Sequence, residues 1–313
     1  MSKQTLAAVT VEKYAARGDA NAPRSCRIPA FRSVPMSGRR VGTAIGMLAA
    51  ALAVQSALVR ADAGAAAAPV QAAQAVACGG EVFARGRVQS VEDGRTFVLD
   101  DGREVRLAAI EVPPPATPDG GKAKAALAAL LAAADVALRG ADIASDRYGR
   151  LVAYAASLRD GGERQVQAAL IAAGLARVAA RVGEHSCAAE LLRREDAARR
   201  AKLGLWANPY YDVAEADDPA AILAQRGRFV LVEGKVLSVH ESGATIYVNF
   251  GRRWTRDFTI TILKRNARKF AAAGLEPKRL AGRHVLVRGW IEKRGGPWIE
   301  AAYPVQIEVI DRK

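Results

Sequence analysis

The 313-residue sequence has few of the residues that mark specialised structural classes. It holds only 3 cysteines, too few for a fold packed by disulfides, and its 28 glycines and 13 prolines are far below collagen-like abundance. Aromatic residues make up 6% of the chain although half of all residues are hydrophobic, because alanine supplies much of the apolar count. With a quarter of the residues charged, this composition is globular and excludes a wholly disordered chain. The length favours about two domains.

Acidic residues are the scarcer charged type. The chain has 46 lysines and arginines against 32 aspartates and glutamates, a formal net charge of +14 that favours an anionic partner. The excess is uneven: residues 1–63 carry 9 basic and 3 acidic residues, residues 64–218 carry 19 and 21, and residues 219–313 carry 18 and 8. We therefore expect the anionic partner to bind the C-terminal part of the chain.

Long apolar runs are also scarce, and the N-terminal region contains the one that stands out. Residues 41–59 are uncharged, follow Arg39 and Arg40, and precede the small residues Ala61 and Ala63. This layout is typical of a secretory signal, so we predict export to the periplasm or beyond, with no stable membrane span after cleavage. The alternative is a retained membrane anchor, since 19 residues are just long enough to span a bilayer.

The leader is expected to cover residues 1–63, with translation starting at Met36, and an alanine-rich tether to cover residues 64–80. Export leaves Cys78 and Cys187 in the mature chain. An even pair of cysteines in an oxidising compartment favours one disulfide over two free thiols.

Short β-type runs begin at residue 81 and are separated by Asp-Gly pairs, which are strong hairpin signals. They predict a three-stranded meander. An alanine- and leucine-rich stretch after Thr117 and Pro118 predicts a helix to about residue 134. The predicted elements in order are strands 82–91, 96–99 and 104–110, helix 117–134, strands 136–143 and 151–158, and helices 164–173 and 188–203.

Asp217, Asp218 and Pro219 mark a change in composition, and we predict a linker over residues 212–226. Residues 227–313 then show five strand-like segments with one helix between the third and fourth. This is the order of a small OB-type barrel. The predicted elements are strands 230–239, 245–250 and 258–263, helix 266–273, and strands 284–291 and 298–309.

Five motifs occur in order between residues 81 and 211: Val91–Thr96, Val105–Pro113, Asp146–Tyr154, Leu170–Ala176 and Ala201–Trp206. In this order and at this spacing they resemble the thermonuclease, or staphylococcal-nuclease-like, family. The resemblance implies a five-stranded OB barrel packed with three helices. The predicted fold class is therefore α+β, with this barrel followed by a second small OB-like barrel.

The resemblance also implies a chemistry, calcium-dependent hydrolysis of phosphodiesters. In the family, two carboxylates hold the cation, a glutamate is the general base, and two arginines bind the phosphate. Arg106 and Arg150 match the phosphate arginines, and Glu111 stands at the second metal aspartate. Arg95 stands at the first metal aspartate, where its charge repels Ca²⁺. Pro114 stands at the general base and has no proton to transfer.

These substitutions predict a degenerate nuclease site that still binds nucleic acid or phosphodiesters and needs no cofactor. An alternative is an active phosphodiesterase whose metal site has been rearranged around Glu92, Asp93, Glu111 and Asp119, using Ca²⁺ or another divalent cation. A third hypothesis is an envelope module that binds protein or a polyanionic glycan.

Basic and aromatic residues are interleaved in two C-terminal stretches, the combination that holds single-stranded nucleic acid. The predicted binding residues are Arg252, Arg253, Trp254, Arg256, Lys293, Arg294 and Trp298. We expect Trp254 to be exposed among its arginines and Trp290, on an alternating strand, to lie in the core. Salt-sensitive binding of single strands, or of another polyanion, is expected within residues 219–313.

Overall fold

The computed structural model describes residues 78–159, 161–183 and 185–310, which belong to one compact unit. The predicted leader and most of the predicted tether lie outside these residues. Within the described ranges, no helix is long and apolar enough to cross a membrane.

The N-terminal barrel, residues 81–211, is a closed ring of five strands with helices packed around it. Its strands are β1 (Val82–Val91), β2 (Thr96–Leu99), β3 (Glu104–Leu107), β4 (Ile110–Glu111), β5 (Asp135–Ser145), β6 (Leu151–Arg159), β7 (Gly162–Gln165) and β8 (Arg177–Val178). Its helices are α1 (Pro118–Leu131), α2 (Val166–Ala172) and α3 (His185–Arg200), followed by 3₁₀ turns at Gly204–Ala207 and Pro209–Tyr211. Strands β3-β2-β1-β5-β6 pair in that order, and the parallel pair β3–β6 closes the ring. The predicted barrel with three helices is confirmed.

Local chemistry explains why these elements form where they do. The Asp93 carboxylate accepts the backbone N–H of Arg95 at 2.7 Å, and Asp101 does the same for Arg103 at 3.0 Å, so each aspartate closes its own hairpin turn. Thr117 caps α1 by accepting the Gly120 N–H at 3.0 Å.

Three boundaries in the barrel differ from the prediction. The expected strand 104–110 breaks near Ala109, whose φ of 64° lies in the left-handed region, and β4 pairs with β8 instead. The helix expected from residue 164 begins at Val166, because Gly162–Gln165 folds back on β6 as strand β7. Helix α3 lies about three residues earlier than expected, since Lys202, with φ 53°, cannot continue it.

The C-terminal half, residues 212–310, is built from two sheets. Its strands are β9 (Ala214–Glu215), β10 (Phe229–Lys235), β11 (Ser238–Ser242), β12 (Thr245–Asn249), β13 (Thr259–Leu263), β14 (His284–Trp290), β15 (Glu292–Arg294), β16 (Gly296–Glu300) and β17 (Ile307–Val309). Its helices are α4 (Pro219–Ala224) and α5 (Ala267–Ala272), with 3₁₀ turns at Lys264–Asn266, Pro277–Leu280 and Pro304–Gln306. One sheet runs β17-β14-β10-β9 and the other β11-β12-β13-β16-β15.

These pairings are consistent with the OB-type order that the sequence predicts. Strand β10 leads almost directly into β11, and β14 into β15, so the two sheets share two nearly continuous strands. Strands β13 and β16 pair in parallel. The expected strand 298–309 is interrupted after Glu300 by the 3₁₀ turn, and β17 crosses to pair with β14.

The predicted linker, residues 212–226, carries secondary structure of its own. Strand β9 pairs in parallel with β10, and α4 buries Ile222 completely. Asp218 caps α4 by accepting the Ala221 N–H at 2.9 Å.

Cys78 and Cys187 form the predicted disulfide, with their Cα atoms 5.2 Å apart. It joins the residues before β1 to helix α3 and is buried at both ends. The cross-link therefore closes a long loop that contains most of the N-terminal barrel.

The two halves share a buried contact region. Trp206 and Ala198 of the N-terminal barrel pack against Phe229, Leu231 and Leu286 of the C-terminal half. Beside this cluster lies a buried charged residue, Arg288 of β14, which is 1% exposed.

The Arg288 guanidinium is hydrogen-bonded by both halves through its two Nη atoms, while its buried Nε has no partner among the described residues. Its Nη1 donates to Glu195 Oε2 of α3 at 2.6 Å and to the Val178 carbonyl at 3.3 Å, while Nη2 donates to Glu308. Glu195 in turn accepts the Val178 N–H at 2.6 Å. Burial alone would lower the pKa of Arg288, but the two carboxylates outweigh it and raise that pKa, so the group stays charged.

Candidate functional site

The barrel topology brings three arginines to one edge. Arg95 immediately precedes β2 and Arg106 lies in β3, where it is paired in register with Thr96. Arg150 immediately precedes β6, which lies beside β3. The sequence separates these residues by up to 55 positions, and strand pairing alone makes them neighbours.

Arg95 forms an ion pair with Glu111, with Arg95 Nη1 2.6 Å from Glu111 Oε2. Both side chains are mostly buried, at 21% and 16% exposure. The family resemblance assigns these two positions to a pair of metal-binding carboxylates. Here Arg95 supplies a guanidinium at one of the two positions, and this group binds the Glu111 oxygen that a metal ion would otherwise bind.

Arg150 is held by Asp146, the first residue of the motif Asp146–Tyr154, for which the sequence alone indicates no role. Its Nε and Nη2 atoms lie 2.8 and 2.7 Å from Asp146 Oδ2. The hydrogen bond to Asp146 raises the pKa of Arg150. Burial alone would raise the pKa of Asp146, but hydrogen bonds from Arg150 and the Tyr148 backbone hold it below its ordinary value. Arg150 is therefore fixed in place and permanently charged.

Arg106 is the least committed of the three guanidinium groups. It makes no hydrogen bond or ion pair with any residue in the described ranges. Burial lowers the pKa of Arg106, and the positive charges of Arg95 and Arg150 lower it further. A half-buried cation among like charges is stabilised by an added anion, so this position favours the binding of an anionic group.

A cavity of about 520 Å³ opens beside Arg106. Glu111, Arg147, Tyr148 and Arg181 also line it. Tyr148 is 66% exposed, and its hydroxyl accepts a hydrogen bond from Arg147 at 2.7 Å. The cavity is large enough for a phosphodiester with an attached sugar or base.

Pro114 takes part in starting helix α1. Its carbonyl accepts hydrogen bonds from the Thr117 hydroxyl at 2.7 Å and from the Thr117 N–H at 3.0 Å. The side chain is exposed and offers no proton-transfer group at the position of the family's base.

The carboxylates that a rearranged metal site would use have other partners. Asp119 pairs with Lys122 at 2.9 Å and accepts from Asn208 at 3.1 Å, and the bond to Lys122 lowers the pKa of Asp119. Glu92 accepts from the Ser90 hydroxyl at 2.6 Å. In the part of the chain that the structure describes, no group of three or more His, Cys, Asp or Glu side chains is placed to hold a metal ion.

Residues 104–208 match the family model described as staphylococcal nuclease homologue. The chain contains a staphylococcal-nuclease-like domain. The matched segment includes Arg106, Glu111, Pro114 and Arg150, while Arg95 lies just before it. No curated protein matches the chain significantly. The match covers most of the barrel and includes both arginines that the motifs align with the family's phosphate-binding positions.

Outside the nuclease-like domain, the two basic and aromatic stretches of the C-terminal half lie together. The loop between β12 and β13 carries Trp254, which is 65% exposed, and it lies against the turn of the β15–β16 hairpin. A Cβ atom on Gly295 at this turn would be 3.3 Å from the Trp254 ring. We call the exposed part of these stretches the basic-aromatic surface: Arg252, Arg253, Trp254, Arg256, Lys293 and Arg294.

The charges on this surface differ in how far they are neutralised. Arg256 lies 3.4 Å from Asp257, whereas Arg252, Arg253 and Lys293 make no ion pair with any described residue. Trp298, which we expected to take part in binding, is only 5% exposed. The Arg294 guanidinium lies 3.5 Å from its ring centroid, so that ring face is already covered.

A cavity of about 360 Å³ lies beside the basic-aromatic surface, between Trp254, Trp298 and the rings of His240 and Tyr247. The two rings are stacked, with centroids 5.0 Å apart. Exposed rings beside uncompensated cations are the features that single-stranded nucleic acid uses for stacking and phosphate contacts.

Trp290 is not in the core, contrary to our prediction; it is 50% exposed. Leu286 and Arg288, four and two residues before it, point toward the nuclease-like domain, and strand alternation puts Trp290 on the same face. Because Trp290 ends β14, its ring lies at the margin of the contact region and packs edge-on against Phe229, with centroids 5.9 Å apart. Strand alternation therefore holds along β14. The face that carries Trp290 is buried against the nuclease-like domain at Leu286 and Arg288 but is open to solvent at the end of the strand.

Proposed function

We propose that this chain is an exported nucleic-acid-binding protein whose nuclease-like site holds phosphodiester groups without metal-dependent cleavage. The observation that carries the proposal is the ion pair between Arg95 and Glu111. A guanidinium placed among phosphate-binding arginines supplies positive charge where the family uses a cation. Binding of a phosphodiester here then requires no divalent metal.

Loss of the general base supports the same conclusion. A positioned base contributes about 10²–10⁴-fold to a hydrolysis rate. Pro114 supplies none, and Asp119 is paired with Lys122 and Asn208. Because the general base and one metal ligand are both missing, the remaining arginines stabilise a bound phosphate but activate no water.

The basic-aromatic surface supports single-stranded nucleic acid as the partner. Trp254 presents most of its ring to solvent, and Arg252 and Arg253 adjoin it with no ion-pair partner in the described structure. Every base offers a ring face for stacking, so such a surface binds single strands with little sequence preference.

Two features support export to the periplasm or beyond. The sequence has the layout of a secretory signal at residues 41–59, and the described chain contains the disulfide Cys78–Cys187. Disulfides form and persist chiefly in oxidising compartments.

The deciding experiment combines cleavage and binding on one sample. Single-stranded DNA and RNA are incubated with the full chain in Ca²⁺, in Mg²⁺ and in a chelator, and binding is titrated in parallel. We expect saturable binding in all three conditions and no cleavage above the chelator blank. Metal-dependent cleavage would instead support the rearranged phosphodiesterase, and absence of any binding would support an envelope module for protein or glycan.

The double variant Arg252→Ala/Arg253→Ala is expected to bind single strands more weakly, with a shallower salt dependence. Each lost phosphate contact reduces the slope of log K against log salt by about 0.7. The measurement is fluorescence anisotropy of a labelled oligonucleotide at several salt concentrations. As a control, Lys124→Ala/Arg164→Ala removes two exposed cations of the nuclease-like domain that form no ion pair within the described part of the chain. If this variant flattens the slope equally, the basic-aromatic surface is not the binding site.

The Arg95→Asp variant is expected to become stabilised by Ca²⁺, which the wild-type chain should not be. The substitution places two carboxylates together, costing about 1–3 kcal/mol without metal, and creates two oxygen ligands for a hard cation. Thermal unfolding is followed in chelator and in roughly 10 mM Ca²⁺, above the Kd of about 1 mM expected for a weak site.

Arg95→Ala is the matched control for that experiment, because it removes the same guanidinium but leaves Glu111 alone. It should lose stability without recovering it in Ca²⁺. A Ca²⁺-dependent rise in the wild-type Tm would contradict our view that the Arg95 guanidinium has taken the place of the metal.

A further inference from the structure

A second cleft, of about 310 Å³, lies where the nuclease-like domain meets the C-terminal half. It is separate from the cavity of about 520 Å³ beside Arg106, although Glu111 borders both. The residues that matter for its chemistry are Arg95, Glu111, Arg177, Tyr210, Arg228 and Trp290.

Arg177 is a buried cation that forms no ion pair with any described carboxylate, although the charges of Glu195 and Glu111 act on it. The side chain lies between the rings of Tyr211 and Phe229, 5.3 and 5.1 Å from their centroids, and the residue is 8% exposed. Its one hydrogen bond within the described residues runs from Nη1 to the Phe229 carbonyl at 2.7 Å, and its buried Nε has no partner. Burial lowers the pKa of Arg177 because the charged form has been removed from water. Such a group is stabilised by an anion beside it.

Arg228 adds a second cation to the cleft. Its Nη2 donates to the Tyr210 carbonyl at 2.7 Å, and its guanidinium lies 3.5 Å from the Tyr210 ring centroid. Among the described residues Arg228 has no ion pair. The two acidic residues that line the cleft already have partners, since Glu111 pairs with Arg95 and Asp93 accepts the Arg95 backbone N–H. Two guanidinium groups therefore remain available to an anion.

The walls of the cleft are aromatic and accessible. Trp290 is 50% exposed and Tyr210 is 54% exposed. A ligand that suits this cleft has an anionic group for the guanidinium groups and a flat ring for the exposed indole. Nucleotides combine these two features within a volume of this size.

We propose that the cleft binds a nucleotide, with its phosphate on Arg177 and Arg228 and its base stacked on Trp290. The nucleotide is either a free mononucleotide or the phosphorylated end of a strand. The contacts that this proposal assigns to the ligand come from Arg177, Arg228 and Trp290, none of which the proposed function uses, so the two succeed or fail separately.

The test is isothermal titration of the full chain with AMP, adenosine and inorganic phosphate. We expect AMP to bind more tightly than either fragment. Trp290→Ala should weaken AMP and adenosine alike, between roughly fivefold and a hundredfold, as for loss of one stacked base. Arg228→Gln should weaken AMP but not adenosine, since it removes only a phosphate contact. Arg177→Met should act like Arg228→Gln where it folds, and Arg228→Gln carries the test where it does not.

Trp254→Ala is the matched control, because it removes an exposed indole from the basic-aromatic surface. It should leave AMP affinity unchanged while weakening oligonucleotide binding. AMP affinity that is insensitive to both Trp290→Ala and Arg228→Gln, or no saturable AMP binding, would overturn the proposal. Oligonucleotides with and without a 5′-phosphate distinguish the two sources: a preference for the phosphorylated strand that Arg228→Gln removes identifies a strand end as the ligand, and no preference identifies a free nucleotide.

Discussion

Replacing Arg288 with methionine is expected to lower the free energy of unfolding by about 3–5 kcal/mol, the usual cost of breaking a buried ion pair by removing one partner. The variant leaves Glu195, which is 2% exposed, without its guanidinium. Glu308 loses its partner as well. A buried carboxylate without a counterion is costly, and no solvent reaches Glu195 to replace the lost hydrogen bond.

Urea or thermal unfolding measures the change, with Arg279→Met as the control. Arg279 forms an exposed pair with Glu276 at 3.2 Å, and exposed pairs contribute at most about 1 kcal/mol. The double variant Glu195→Gln/Arg288→Met should lose less stability than the sum of the two single variants, since each single change already breaks the pair. If Arg288→Met unfolds within about 1 kcal/mol of the wild type, the buried pair does not hold the halves together.

This pair has a functional consequence, because it links the nuclease-like domain to the strand that ends in Trp290. Arg288 is two residues from Trp290, and its partner Glu195 also accepts the N–H of Val178, next to Arg177. The cleft between the halves is therefore bordered by residues that the buried contacts hold in place. A site of this kind needs little ordering when a ligand binds, which favours affinity.

Much of the fold follows from local signals in the sequence. The Asp-Gly turns place β1 to β3, since each aspartate accepts a backbone N–H two residues on, and Thr117 with Pro118 places the start of α1. The positions of Arg106 and Arg150 at the site follow from the motifs. These features depend on residues close together in the chain.

The features that the sequence did not reveal depend on contacts between the halves. Arg177 and Arg288 are indistinguishable in sequence from ordinary surface arginines, yet they are 8% and 1% exposed. Trp290 was expected in the core and is half exposed, because strand alternation identifies two faces without showing what covers each. Trp298 was expected to take part in binding and is 5% exposed. Likewise, the substitution at Arg95 was evident in the sequence, whereas its pairing with Glu111 required the structure.

Removing the Cys78–Cys187 disulfide, as Cys78→Ala/Cys187→Ala, is expected to lower the free energy of unfolding by about 2–5 kcal/mol. The two cysteines are 109 residues apart, so the cross-link restricts a large loop of the unfolded chain. In the chain-entropy account a loop of this length is worth about 4–5 kcal/mol. The bond also links the residues before β1 directly to α3.

The measurement is denaturant unfolding with and without a reductant. Reduction should lower the wild-type midpoint by as much as the double substitution does. It should leave the midpoint of the double variant unchanged, because the one remaining cysteine, Cys26, takes no part in the bridge. Both sulfur atoms are buried, so reduction should follow opening of the structure and be slow under native conditions. A wild-type midpoint that is unaffected by complete reduction would show that the native contacts alone hold the start of β1 against α3.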